Sequence, residues 1–126
     1  MSPDRRFVLL GAIFGFLAVA LGAFAAHALK SILSPGMLDV FRTGVEYQAT
    51  HALALLLVGL LGARGHDRLL GLSGWAFASG ILLFSGSLYL LALTSARWLG
   101  AVTPFGGVAF LVGWAALAVY AWRGRG

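Results

Sequence analysis

From position 7 to position 26 the chain runs for twenty residues without one charged or hydroxyl-bearing side chain. At about 1.5 Å per residue this makes about 30 Å of helix, the thickness of a bilayer's hydrocarbon core. Nothing else constrains the fold as strongly, because lipid leaves every backbone N–H and C=O to be satisfied by the chain itself. Runs of the same character follow at 44–63, 69–92 and 104–122, the first of these reaching full length only if its polar first two turns are included. The connectors LKSILSPGMLDVFR, RGHDR and TSARWLGAV are short. The pattern predicts an all-α integral membrane protein: one domain over 1–126, with four transmembrane helices at about 7–27, 44–63, 69–92 and 104–122 in an antiparallel bundle. Pro35-Gly36 reads as a breaker within the first connector, and Thr103-Pro104 as the cap and first residue of the last helix.

Composition closes off the soluble alternatives. Only 10% of the residues are charged and 60% are hydrophobic, where a soluble domain carries about 25% charged residues. There is no cysteine, which excludes disulfides, thiolate metal sites and cysteine nucleophiles. The net charge of +5 does not point to nucleic acid, because most of the arginines sit in pairs at the ends of apolar runs: Arg5/Arg6, Arg64/Arg68 and Arg123/Arg125. Such pairs are topology signals and suit anionic headgroups. Six basic residues fall in the termini and the middle loop, and three (Lys30, Arg42 and Arg97) in the other two loops. The positive-inside rule therefore expects both termini in the cytoplasm of a multi-pass membrane protein. Arg5/Arg6 and Ala23-Phe24-Ala25 imitate a cleavable secretory signal, but the apolar stretch between them is too long for one and is expected to be a retained helix.

Small residues mark the packing faces. In lipid, helix association depends on close approach of backbones. Gly11, Gly15, Ala18, Gly22 and Ala25 recur at spacings of three and four along one face of the first helix. The third helix carries two such rows, Gly71/Ala78/Ser85 and Ser73/Gly80/Ser87, as expected of a helix wedged between two neighbours. Gly106, Ala109, Gly113 and Ala116 form the row of the fourth. The same rows would also suit a dimer seam or a glycine-lined pore.

The polar first turns of the second helix, FRTGVEYQATH, hold the candidate site. At about 100° per residue, Gly44, Tyr47, Gln48 and His51 share one face, while Glu46 lies about 150° away, stacked with Arg42 and Thr50. His27 closes the first helix at the same surface of the membrane. A small pocket of His27, Tyr47, Gln48 and His51 is the functional expectation, since ionisable residues within a span are costly to keep. It competes with plain interfacial anchoring, in which Glu46 pairs with Arg42 and the histidines bond to neighbouring helices. His27 also falls about 160° from the small-residue row of its helix, which counts against the pocket. Zinc, copper or haem would have to use His27 and His51, whose spacing matches no metal motif. No cofactor is expected. No nucleophile triad, phosphate loop or carboxylate pair is present, so no enzyme is expected either.

GAFAAHALK, FRTGVEYQATHALALLLVG, SGILLFSGSLYLLALT and WLGAVTPFGGVAFLVGWAALA together resemble the domain of unknown function 423 family, over nearly the whole chain. The resemblance implies a small bacterial inner-membrane protein with four spans and no settled activity. It implies weight for His27, Tyr47, Gln48 and His51, which match family motifs, and less for Glu46, which does not. Ala25 stands where the family has glycine. Three classes follow: a non-catalytic accessory or self-associating module, partnered by lipid and by a membrane protein or its own copies; a small-solute channel or carrier; and a metal or haem protein.

Overall fold

The structure is a computed structural model and describes residues 1–124, so Arg125 lies outside the described residues. Five α-helices make four spans: α1 (Pro3–His27), α2 (Pro35–Gly62), α3 (Arg68–Gly80), α4 (Gly86–Thr94) and α5 (Thr103–Trp122). A π-helical turn, Ile81–Ser85, joins α3 to α4 within the third span. Four segments have the length and apolarity to cross a bilayer. The fold is the expected four-span, all-α membrane bundle.

The helix starts differ from the expected ones. Pro35-Gly36 begins α2 instead of breaking the chain: the Ser34 hydroxyl accepts from the Met37 N–H, and a proline is tolerated where no amide partner is needed. α2 therefore starts nine residues before the expected 44 and is about 42 Å long, well beyond the apolar core. α1 likewise starts at Pro3, ahead of the expected 7. Asp67 caps α3 through the Leu69 N–H. Thr103 is not a cap; its hydroxyl bonds to Ser87 at 2.6 Å. A left-handed Ser95, φ 60°, closes α4.

In cross-section α1 packs on α2, α2 on α3, the π turn and α4, and α3 with the π turn on α5. The small-residue rows lie at these seams. A Cβ on Gly11 would meet the Ala52 carbonyl at 2.8 Å, and one on Gly22 would meet Val45 at 3.4 Å, so the α1 row faces α2; Gly15 lies nearer its edge, 3.9 Å from Ala52. Gly80 sits under the Phe110 ring, Gly113 under Phe77, and Gly106 against the backbone of Phe84. Both rows of the third span are in use. Ser85 bonds to α2 and Ser73 to α5, as a wedged helix requires.

Two apolar cores result. One, around Phe7, Leu55, Val58, Phe77, Ile81 and Phe110, fills the half of the bundle nearer the termini. The other, around Ala25, Leu29, Leu38, Phe41 and Ala92, fills the opposite end. Residues 44–51 of α2 lie between them.

A π turn is one residue inserted into an α-helix. Leu82, on the lipid side of this turn, is exposed. Deleting it closes the turn while keeping both seams, so the variant is expected to fold with a thermal midpoint near wild type. Deleting Trp75, half-exposed and inside α3, turns Ser73 and Gly74 away from their seams. It is expected to abolish a folded, monodisperse protein in detergent; equal tolerance of both deletions would refute this role of the turn.

Candidate functional site

Between the two cores, α2 presents a layer of polar groups, and each reaches a different helix. Gln48 is buried at 3% exposure. Its Nε2 donates to the Phe14 carbonyl of α1 at 2.9 Å, and its Oε1 accepts from the Tyr89 hydroxyl of α4 at 2.6 Å. A carbonyl only accepts and Gln48 must supply the N–H to it, which fixes the amide orientation. One side chain thereby ties three helices. One turn outward, the Ser85 hydroxyl donates to the Gly44 carbonyl at 2.7 Å. Gly44 admits this approach, because a Cβ there would lie 2.7 Å from the Tyr89 ring.

His51 is equally buried and uses both ring nitrogens. Nδ1 lies 2.6 Å from the Tyr47 carbonyl, and Nε2 lies 3.0 Å from Nε1 of Trp114 on α5. The carbonyl only accepts and the indole N–H only donates, so His51 is the neutral imidazole with its proton on Nδ1. Its ring stacks on Phe110, centroids 3.6 Å apart and planes 8° apart. Phe77 and Trp114 close the other sides at 5.5 and 5.7 Å. α2 and α5 thus meet through these rings rather than by backbone approach. Tyr47, 43% exposed, lies against Phe84 at 4.5 Å and covers the layer from the lipid side.

The structure brings Tyr47, Gln48 and His51 together but leaves His27 out. His27 is exposed at the end of α1. Gly22 faces Val45, so His27 lies five residues outward of that level and His51 six residues inward, about 16 Å apart along the bundle. The row of small residues turns to α2, which carries His27 away, as its 160° offset requires. The pocket expected between the ends of the first two helices is replaced by a layer shared among α1, α2, α4 and α5. A two-histidine metal or haem site is not assembled, and among the described residues no cluster of three or more His, Asp or Glu is placed to hold a metal. Glu46 and Arg42, expected to pair, form no ion pair or side-chain hydrogen bond among the described residues.

Trp114 was not among the candidates drawn from the sequence. The available signal was its depth: it sits in the middle of α5, whereas Trp prefers the interfaces and needs an acceptor when buried.

The family described as "Protein of unknown function (DUF423)" matches residues 21–107, the stretch that holds α2, the π turn and Tyr89. The chain belongs to that family. It is 47% identical to the UPF0382 membrane protein YwdK of Bacillus subtilis, over 93% of this chain and 96% of that one. It is 46% identical to the UPF0382 inner membrane protein YgdD of Escherichia coli, over 95% and 92%. A Haemophilus influenzae UPF0382 membrane protein is 44% identical, over 96% and 97%. No solved structure matches. This DUF423 chain is a multi-pass protein of the inner membrane, and no activity is named for these relatives.

Interhelical hydrogen bonds in membranes contribute about 0.6 kcal/mol on average and up to about 1.7. A double-mutant cycle of His51→Phe and Trp114→Phe, read by unfolding in mixed micelles, is expected to give a coupling near the upper end of that range. A coupling near zero would mean that the indole and imidazole stabilise the fold independently.

Proposed function

We propose that this DUF423 chain is a non-catalytic membrane module, which acts by association with other membrane chains and uses its polar layer to clamp its own helices. One observation carries the reading: among the described residues, no buried side-chain nitrogen or oxygen lacks a hydrogen-bond partner. A ligand site keeps groups in reserve for its ligand, and a catalytic base keeps a free lone pair. Gln48 and His51 have committed theirs to Phe14, Tyr89, Tyr47 and Trp114. For His51 to bind a metal or haem it would first have to give up the Trp114 bond. In hydrocarbon such bonds join helices that have no hydrophobic reason to associate.

The test compares wild-type protein with Gln48→Leu, an apolar replacement of similar size. It strips the Tyr89 hydroxyl of its acceptor, and the expected cost is about 1 kcal/mol or more of stability in detergent. Proteoliposomes of either protein are expected to hold small polar solutes as well as empty vesicles do. A flux supported by wild type and lost in a Gln48→Leu variant of unchanged stability would overturn the reading in favour of a carrier.

A further inference from the structure

We infer that the α1/α2 face is a homodimer interface, in which Arg42 and Glu46 of one copy pair with Glu46 and Arg42 of a second copy. The inference rests on the associating-module reading and names its partner. Three features coincide on this face.

The first is charge at the wrong depth. α1 and α2 run antiparallel with Gly11 against Leu56 and Gly22 against Val45. Counting outward from these pairs puts Glu46 level with Leu21 and Arg42 level with Ala25. The apolar run of α1 continues to Ala26, so Glu46 sits about 7 Å inside its outer end. Both side chains are exposed, and neither has a partner among the described residues. A charge facing hydrocarbon is costly and is normally paired.

The second is a groove. Between α1 and α2 lies an open, apolar hollow of about 380 Å³, lined by Ala12, Gly15, Ala49, Ala52, Leu53 and Leu56. On an ideal helix Arg42, Glu46, Ala49, Leu53 and Leu60 fall within about 60° of arc, so the charges continue the groove outward. Phe16, 75% exposed, stands on its rim as an unfilled ridge beside a hole. A knob adjacent to a hole on one face suits a two-fold contact, where each surface serves as its own complement.

The third is the charge pattern. Two copies inserted the same way in one membrane are related by an axis along the bilayer normal, so equal depths meet. Arg42 lies four residues outward of Glu46, about 6 Å, within reach of an arginine side chain. Across the axis each Arg42 meets the other copy's Glu46, and the two pairs are shielded from lipid. An unrelated partner would need its own basic and acidic residues in the same register; a second copy supplies them by symmetry.

The chain contains no cysteine, so a single Ala49→Cys substitution gives a clean reporter. Oxidation of native membranes is expected to convert most of this variant to a reducible band at twice its 13.2 kDa mass. Leu111→Cys, 70% exposed on α5, is expected to stay monomeric. If Ala49→Cys fails to fold, Leu53→Cys on the same face replaces it. Added to the reporter, Arg42→Glu or Glu46→Arg alone is expected to cut the dimer at least tenfold, and the two together to restore it. A folded reporter that stays monomeric, equal cross-linking from α5, a band of another mass, or no rescue by the double swap would each overturn the dimer. None of these results alters the stability of Gln48→Leu, which tests the clamp separately.

Discussion

A buried amide in hydrocarbon has no water to fall back on, and the placement of α1, α2 and α4 here follows from satisfying one. Gln48 needs an acceptor for its N–H and a donor for its oxygen. The bundle provides the Phe14 carbonyl from one side and the Tyr89 hydroxyl from the other. These two bonds set the depth and rotation of α2 against α1 and against α4 at once. Apolar packing alone specifies such a register weakly, because sliding one apolar helix along another exchanges similar contacts. An unpaired amide or hydroxyl inside the membrane does not allow that slide, since the lost bond finds no substitute.

The glycine rows and the aromatic rings complement this layer. Where backbones must meet, glycine lets them: Gly106 lies on the backbone of Phe84 and Gly11 on the carbonyl of Ala52. Where they stand apart, between α2 and α5, Phe110, Phe77 and Trp114 fill the space around His51. The π turn falls at this level of the third span, between Gly80 under Phe110 and Ser85 on Gly44. Ser73 reaches α5 and Ser85 reaches α2 from this one span.

Much of this was legible in the sequence, and what was not has a common cause. Apolar run length sets the number of spans, and the small-residue spacing identifies the α1–α2 seam and the two faces of the third span. Gly44, Tyr47, Gln48 and His51 are grouped correctly by helical phase alone. The partners of those residues were hidden, because three of the acceptors are backbone carbonyls, at Phe14, Gly44 and Tyr47, which no side-chain pattern marks. The π turn was hidden because one extra residue in a long apolar helix leaves no compositional trace. The start of α2 was misread because a proline and glycine together suggest a break, although Ser34 before them supplies a cap. His27 was drawn into the pocket by residue type, against its own phase on α1.

The polar residues of α2 therefore divide by direction. Those on the inner face, Gln48 and His51, bond to the chain's own helices through both polar atoms of the amide and both ring nitrogens. Those on the outer face, Arg42 and Glu46, make no side-chain hydrogen bond or ion pair among the described residues, although they lie level with the last apolar turns of α1. Among the described residues, the inner face thus satisfies its buried polar side chains and the outer face leaves its exposed charges unmatched. That asymmetry is the ground on which a second copy is proposed at the α1/α2 surface, outside the histidine layer that first draws attention in the sequence.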